Sequence, residues 1–408
     1  MKFLLRSSAL CLALCAFICP AMRGQRGFVH TKGPQLVDGH GAPLMLRGIN
    51  LGNWFEVEGY MFHFDGGPQS PREIEELSYE LIGPEKADAF WKQWRDVYIT
   101  EADMDLIRKS GFNSVRVPLH WKFFDSDNAE GFRLLDRLVT WAKKDGIYLI
   151  LDLHCAPGGQ TGTNIDDSWG YPWLYTSAAA QAHTAAIWRR IAARYRNDPI
   201  VLGYDLLNEP VPHYPRLRQY NSDLEPVYRK LVAAIRSVDK NHVVILGGAQ
   251  WDSNFKVFGP PFDSNVMYTF HKYWTATDKS VIQEYLDFRD KYHVPLWLGE
   301  SGENTDAWIA AFTKTLEANQ VGWCFWTYKK MDSTSSVVSF DRPAHWNDII
   351  NFARLPPGTG NAEKRIAARP SVEESQEAFG DLLKKVQFAN VHVNAGYVQA
   401  LGLKPVAH

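Results

Sequence analysis

Short apolar runs recur along the chain, each followed by polar residues and then, in most cases, by a segment with helical spacing. Residues 200–208 show the pattern most clearly, because the run is almost wholly apolar until Asn208, Glu209 and Pro210 end it. A run of this kind indicates a strand that is buried on both faces, as in a parallel sheet. The pattern predicts eight strands, over residues 44–51, 113–119, 147–154, 200–208, 243–247, 265–270, 294–300 and 321–326.

Helical repeats separate most of these strands. Residues 225–238 place Val227, Leu231 and Ile235 on one face, which is the spacing of an amphipathic helix. Alternation of strands and helices over this length implies parallel strands joined by right-handed crossovers. The predicted fold is therefore α/β, a (β/α)8 TIM barrel with enlarged βα loops. Further helices are predicted over residues 100–111, 131–144, 177–195, 280–292, 306–318 and 372–386.

Two other segments refine this prediction. Residues 36–44 contain a Gly-rich turn and predict a short N-terminal hairpin before the first barrel strand. Residues 52–99 form a long connection, and long connections in compact domains are usually functional. A doubly wound open sheet is the alternative architecture, although no Gly-rich phosphate-binding loop follows the first strand.

The N-terminus has the features of a secretory signal peptide. Lys2 and Arg6 give it a basic start, and residues 10–18 are apolar but too few to span a bilayer. Lipid attachment at Cys19 is an alternative, although bulky Ile18 stands where a small residue is expected. The sequence thus predicts a signal peptide over residues 1–24, a single catalytic domain over residues 25–408, and a secreted or periplasmic protein.

Composition excludes several classes of partner. The 408 residues carry a formal net charge of −2, which argues against nucleic acid or an anionic membrane as the main partner. Aromatic residues make up 13% of the chain, an excess that suits sugar stacking or the packing of a large barrel. Asp152 and His154 could ligate a metal, but no third ligand is evident. We therefore expect no metal and no cofactor.

Polar and aromatic residues collect at the carboxyl ends of the predicted strands. In a (β/α)8 barrel these ends meet at one mouth, where the chemistry of such folds is placed. Glu209 follows the fourth strand and Glu300 ends the seventh, so the two carboxylates should face each other across the mouth. The other strand ends supply Trp54, Arg116, His154, Asn208, Trp251, His271, Tyr273 and Trp326.

Paired carboxylates support the cleavage of glycosidic bonds, in which one group donates a proton and the other is ionised. Arg116 near Glu300 would keep that carboxylate charged, and Tyr273 could donate a hydrogen bond to it. Glu209 has no evident cation beside it. It is therefore the candidate for a raised pKa and for the acid role.

This constellation resembles glycoside hydrolase family 5, the cellulase family. The resemblance covers the mature chain and implies a retaining double displacement, with Glu209 as acid/base and Glu300 as nucleophile. It implies that Asn208 binds the sugar 2-hydroxyl and that Trp326 forms the floor of the −1 subsite. Arg116 would orient Glu300, and His154 would have a supporting role. The motifs that carry the resemblance are residues 47–54, Arg116, His154, Asn208-Glu209, His271-Lys272-Tyr273, Glu300-Ser301-Gly302 and Trp326; His271 and Tyr273 would line the subsite.

The loops are expected to select the sugar. Glu56 and Glu58 could bind hydroxyls at a non-reducing end, as in the exo-β-1,3-glucanase branch, although Asn53 departs from the Gly-Gly-Trp pattern of that branch. The polar loop 154–169 carries Trp169 and either grips a sugar or is a turn-rich loop held by its own side chains. Long loops after the first, third and eighth strands favour a pocket and exo action, with an open endo cleft as the rival.

The resulting hypothesis is a secreted, monomeric, retaining glycosidase that acts on a β-glucan or a related polysaccharide or oligosaccharide. Other family 5 substrates remain alternatives, namely mannan, xylan, a glycolipid or a furanoside. Transglycosylation is a further alternative because it uses the same intermediate. A non-catalytic sugar-binding barrel is the alternative from a different functional class.

Overall fold

The computed structural model describes residues 27–406, so the predicted signal peptide over residues 1–24 lies outside the described part. Eight parallel strands close into a barrel, in which each strand pairs with the next in the chain and the last pairs with the first. The barrel confirms the predicted (β/α)8 fold and excludes the doubly wound open sheet. Its strands are β3 (Arg47–Asn50), β4 (Ser114–His120), β5 (Tyr148–Cys155), β6 (Val201–Asp205), β7 (Val243–Gly247), β8 (Val266–His271), β9 (Leu296–Glu300) and β10 (Gly322–Phe325).

Helices surround the barrel and occupy its longer loops. The predicted helices are present, and the connection after β3 contains two more. The first of these begins with a capping box. The Ser70 side chain accepts the backbone N–H of Glu73, and the Glu73 side chain accepts the backbone N–H of Ser70. The helices are α1 (Pro71–Ile82), α2 (Pro84–Val97), α3 (Glu101–Ser110), α4 (Glu130–Asp145), α5 (Ala178–Tyr195), α6 (Asn221–Arg236), the short turn α7 (Ala249–Asp252), α8 (Gln283–Tyr292), α9 (Asp306–Ala318), α10 (Trp346–Ala353), α11 (Ala362–Ala368), α12 (Val372–Lys385) and α13 (Ala395–Ala400).

The N-terminal hairpin lies slightly earlier than predicted. Its regular pairing joins β1 (His30–Lys32) to β2 (Gln35–Val37). The predicted Gly-rich turn follows, with a single bridge between Val37 and Pro43. The hairpin contributes Leu36 to an apolar cluster inside the barrel, together with Ile150, Ile245, Trp297 and other inward-facing residues. Because these residues fill the lower part of the barrel, the hairpin closes the end opposite the mouth.

The long segment after β10 forms structure of its own on the mouth side. A small sheet joins β11 (Lys329–Met331), β12 (Val338–Phe340) and β13 (His392–Val393). Buried Lys329 lies 3.0 Å from the Asp103 carboxylate and donates to the backbone carbonyls of Tyr98 and Val386. These contacts connect β11 to the start of α3 and to the end of α12, so the segment after β10 is anchored to the helices around the barrel. Within residues 27–406, none of the helices has the length and apolar character needed to cross a bilayer.

Candidate active site

A buried arginine connects the polar side chains at the mouth of the barrel. Nε of Arg116 donates to Asp205 at 2.8 Å, and its Nη2 donates to Oδ1 of Asn208 at 2.9 Å. The same guanidinium contacts the Glu300 carboxylate and lies 3.1 Å from Asp152. Burial lowers the pKa of Arg116, but the fields of Asp152, Asp205 and Glu300 outweigh it and raise the pKa well above the ordinary value. The group is therefore a permanent cation that fixes several acceptors at once.

Glu300 ends β9 and receives donors on both carboxylate oxygens. Arg116 bonds to Oε1, and the Tyr273 hydroxyl donates to Oε2 at 3.1 Å. The Glu300 side chain is almost completely buried. A charge-assisted hydrogen bond to one oxygen and a second donor on the other suit a carboxylate that is used as an anion and held in one orientation.

Glu209 lies four residues beyond the end of β6, in a strained turn. Its φ is 47°, in the left-handed region that non-glycine residues seldom adopt. Oε1 lies 3.0 Å from Nδ1 of His271, and a quarter of the side chain is exposed. Burial raises the pKa of Glu209, while the fields of His154, Arg116 and His213 oppose the shift. Of the two facing acids, Glu209 therefore has the environment of a proton donor.

A second group of side chains forms the floor beside these acids. Asn208 donates to Nε2 of His154 at 3.1 Å, and Nδ1 of His154 donates to Asp152 at 2.7 Å. Burial lowers the pKa of His154 to about 4, so the ring is neutral and its Nε2 accepts. The His154 ring stacks at 5.7 Å on Trp326, whose indole N–H donates to the Tyr60 hydroxyl at 2.6 Å. Each side chain on this floor thus has its orientation fixed by a neighbour.

The Trp326 ring also depends on a glycine. A Cβ atom on Gly52 would lie 2.4 Å from the edge of that ring, so a side chain at position 52 would displace it. The peptide bond between Trp326 and Thr327 is cis. Gly52 therefore belongs to the site through the space that it leaves open.

The structure brings eight of the predicted site residues into one connected group. Hydrogen bonds, ion pairs or ring contacts link them without a break. His271 joins the two halves of the group, because its Nδ1 lies 3.0 Å from Glu209 and 3.7 Å from Glu300. The eight residues are Arg116, His154, Asn208, Glu209, His271, Tyr273, Glu300 and Trp326.

Trp54 does not join this group, and a role for it in sugar binding stays a prediction. Its side chain is buried, packs on Phe55 and donates its indole N–H to the backbone carbonyl of Arg95 in α2. The sequence could not show this, because residues 84–97 were not predicted to form the helix that covers this ring.

Trp169 is also found away from the connected group. Its ring is 72% exposed and stacks on the guanidinium of Arg72, at 3.2 Å from the ring centroid. The loop around it is held by its own contacts, since Asp166 accepts the backbone N–H groups of Gln160 and Thr161. This arrangement matches the alternative of a self-supported loop, and a role for Trp169 in sugar binding stays a prediction.

Two other predicted residues lie at the mouth. Trp251 packs at 5.0 Å against His213, which is close enough to Glu209 for its charge to lower the pKa of that acid. Glu58 is buried, and burial followed by the fields of Glu300, Glu303 and Glu209 raises its pKa well above the ordinary value. Trp251 thus lies on the Glu209 side of the mouth, and Glu58 lies among its acids.

Some residues of the site were not among the predicted ones. Asp152 and Asp205 balance the charge of Arg116, and Tyr60 holds Trp326. The two aspartates carry a sequence signal, because each is a lone acid inside an otherwise apolar strand. Tyr60 carries none, since it lies in an aromatic-rich loop with several equivalent candidates.

Two groups of ligand-type atoms lie close enough together to hold a metal. In each group the atoms are within 4.8 Å of one another; the groups are Glu56, Glu58 and His154, and Glu209, His271 and Glu300. Both nitrogens of His154 already make hydrogen bonds, as does Nδ1 of His271. Metal binding would therefore break contacts that orient the floor and the acids. The absence of a bound metal stays a prediction.

The sequence matches the family model described as cellulase, glycosyl hydrolase family 5, over residues 75–332. That match covers more than half of the chain. The chain belongs to glycoside hydrolase family 5. By family it is an O-glycosyl hydrolase.

Curated relatives of this family 5 enzyme differ in their substrates. It is 31% identical over 262 residues to a β-xylosidase of Phanerodontia chrysosporium, a match that covers 60% of this chain and 52% of the relative. This chain therefore spans about half the length of the β-xylosidase. It is 26% identical over 331 residues to endoglucanase C of Acetivibrio thermocellus, covering 64% of this chain and 93% of the relative. A crystal structure of endogalactoceramidase shares the fold, with a TM-score of 0.60, 19% identity, and coverage of 93% of this chain and 86% of the other.

The contacts of Arg116 lead to a first prediction. Arg116→Lys should lower kcat/KM by at least about 100-fold, because a lysine ammonium cannot reach Asp205, Asn208 and Glu300 with one rigid group. Steady-state kinetics on an aryl β-glycoside measure the loss. Arg47→Lys is the matched control, since Arg47 lies on the neighbouring strand β3 and also makes a two-point contact with a carboxylate, that of Glu317 in α9. Wild-type activity in Arg116→Lys would contradict the role given to this network.

Proposed function

We propose that this family 5 enzyme is a retaining β-glycosidase that acts on a β-glucan or a related polysaccharide or oligosaccharide. The observation that carries the proposal is the separation of the two acids. A carboxylate oxygen of Glu209 and one of Glu300 lie within 4.8 Å of each other. Retaining glycosidases place their two carboxyl groups about 5–5.5 Å apart, whereas inverting enzymes need about 6.5–9.5 Å to admit a water molecule.

The environments of the two acids support a division of roles. Glu300 is the nucleophile, because Arg116 and Tyr273 hold its carboxylate in one orientation with donors on both oxygens. Glu209 is the acid/base, because its pKa is raised by burial and its side chain is the more exposed of the two. In the first step Glu209 protonates the leaving oxygen while Glu300 attacks the anomeric carbon. In the second step Glu209 removes a proton from water, which displaces Glu300.

The floor of the site supports sugar binding in the −1 subsite. Oδ1 of Asn208 is held by Arg116 and its amide nitrogen donates to His154, so the side chain has a fixed orientation beside Glu209. In this proposal Asn208 binds the 2-hydroxyl, where hydrogen bonds strengthen in the transition state. Trp326, fixed by Tyr60, supplies the apolar face on which the ring of the sugar rests.

The burial of the side chains at the mouth supports a pocket and exo action. Asn208, His271, Glu300, Trp326 and Glu58 are all buried, and Glu209 is the most exposed of the acids that face the reaction. Glu58 lies among these groups, close to His154, and in this proposal its carboxyl binds hydroxyls of a terminal sugar. An open cleft would leave the groups on both sides of the cleavage point accessible. The features of residues 1–24 further support a secreted or periplasmic location.

Variants of the two acids test the division of roles. Glu209→Ala should lower kcat/KM by about 10²–10⁴ on a substrate with a poor leaving group, because such a group needs a proton. On a dinitrophenyl glycoside the first step should stay fast, and azide should restore turnover by replacing the water that Glu209 activates. Glu300→Gln should abolish turnover of both substrates while sugar binding remains.

Glu85→Gln is the control for these variants, because Glu85 is an exposed acid on α2 and lies outside the active site. Loss of both substrates to the same extent in Glu209→Ala, without azide rescue, would contradict its role as acid/base. Unchanged turnover in Glu300→Gln would contradict the assignment of the nucleophile and favour another catalytic group.

Product analysis on a ladder of β-glucan oligosaccharides tests the mode of action. Exo action should release one sugar unit or one short unit from the chain end from the first time point, since a buried subsite admits only a terminus. Internal scission at the first time point would contradict the pocket. Products longer than the substrate would show transfer to a sugar acceptor, which uses the same intermediate.

A further inference from the structure

The second nitrogen of His271 faces a buried acid, Asp252, that takes no part in the proposed reaction. Nε2 lies 3.2 Å from Oδ2 of Asp252. The same oxygen accepts the backbone N–H of Glu209 at 3.1 Å. Asp252 is completely buried, and its other oxygen has no hydrogen-bond partner among the described residues. One carboxyl oxygen therefore contacts both the backbone of the acid/base and the ring that contacts its side chain.

The backbone is built to place this carboxyl. Gln250, Trp251 and Asp252 have φ values of 55°, 56° and 60°, so three consecutive non-glycine residues are left-handed. Such residues normally occur singly, and a run of them persists only where the surroundings impose it. A Cβ on Gly247 would lie 1.7 Å from Oδ1 of Asp252, so this packing requires a glycine at the end of β7.

The proton positions on His271 follow from its neighbours. Nδ1 lies 3.0 Å from a Glu209 oxygen and 3.7 Å from a Glu300 oxygen. Glu300 is paired with Arg116 and offers only acceptor oxygens on this side of the ring, which favours a proton on Nδ1. Burial lowers the pKa of His271 to about 3, in spite of the field of Glu300, so the ring is neutral and Nε2 carries a lone pair.

A bare nitrogen lone pair beside a carboxylate anion would be repulsive, so the hydrogen between Nε2 and Asp252 must belong to Asp252. We propose that Asp252 is a positioning residue: a neutral carboxylic acid that donates to Nε2 of His271 and thereby holds the ring with its proton on Nδ1. Burial, followed by the fields of Asp205 and Glu209, raises the pKa of Asp252 well above the ordinary value, against the field of Arg116. That direction agrees with the geometry.

The arrangement determines which oxygen of Glu209 carries the catalytic proton. Because Nδ1–H of His271 occupies Oε1, a proton on Glu209 must reside on Oε2, which makes no contact with the ring. If Asp252 were ionised, it would instead favour a proton on Nε2, and Glu209 would have to donate toward His271 and away from the leaving group. The position of the catalytic proton on Glu209 rests on the proposed role of Glu209 as acid/base. The hydrogen positions on His271 and Asp252 do not depend on that role.

Nitrogen-15 NMR of histidine-labelled protein tests the hydrogen positions directly. The wild-type spectrum should show His271, assigned by its loss in His271→Gln, as a neutral ring protonated on Nδ1. The pair Asp239–His242 offers a contrast in the same spectra, because Asp239 has its pKa lowered by His242 and acts as an ionised acceptor. Infrared difference spectra against Asp252→Asn should also reveal the carbonyl stretch of a buried carboxylic acid. A proton on Nε2, or absence of that band, would overturn the proposal.

Two substitutions test the consequence for catalysis. Asp252→Asn can still donate to Nε2 through its amide, so it should keep the tautomer and lose no more than about tenfold in kcat/KM on a poor leaving group. Asp252→Ala removes the donor and should lose about 100-fold or more on that substrate, with a smaller loss on a dinitrophenyl glycoside. Equal losses in both variants would overturn the proposal. If Glu209 were not the acid/base, the loss of kcat/KM in Glu209→Ala would be the same for poor and good leaving groups. The hydrogen positions seen by NMR would be unaffected, so the two failures can be told apart.

Discussion

One buried cation governs the arrangement of this active site. Arg116 lies inside the barrel, where a charge without partners would cost several kcal/mol. Asp152 and Asp205 balance it from the two following strands, and the remaining hydrogen-bonding capacity is directed to Asn50, Asn208 and Glu300. Because all of these groups lie on barrel strands or directly after one, the distances between them are fixed by the closure of the barrel. The reactive carboxylate is thus held in place by the same contacts that make the burial of the arginine tolerable.

Glu209, the proposed acid/base, depends on a different kind of support. Glu209 lies outside the sheet in a left-handed conformation, and non-glycine residues in that region cost of order 1–3 kcal/mol. Its side chain is oriented by His271 and its backbone by Asp252. Glu300, the proposed nucleophile, is therefore fixed by strand geometry and charge. Glu209, the proposed proton donor, is fixed by hydrogen bonds with His271 at the end of β8 and with Asp252 in α7. This division suits their tasks, because the acid must change its protonation state during each cycle and the nucleophile must stay ionised until it attacks.

The sequence was sufficient to predict the barrel and the convergence of Glu209 and Glu300, because strand ends in a closed parallel barrel must meet. It was not sufficient for the packing of single aromatic rings. Trp54 follows a strand end, as a mouth residue would, yet it lies against α2, and that helix was hidden in a segment without a clear repeat. The role of Asp252 was equally hidden, since it depends on a left-handed turn and on the space left by Gly247. Such features are set by tertiary contacts and leave little trace in local spacing.

The central claim is that the two carboxyl groups act by double displacement, with Glu300 forming a covalent bond to the sugar. The most direct measurement is proton NMR of the products during the first minutes of hydrolysis of a β-glycoside, before mutarotation has equilibrated the anomers. Retention predicts that the β-anomer of the released sugar appears first and that the α-anomer follows only as mutarotation proceeds. Initial release of the α-anomer would show single displacement by water and would contradict this account.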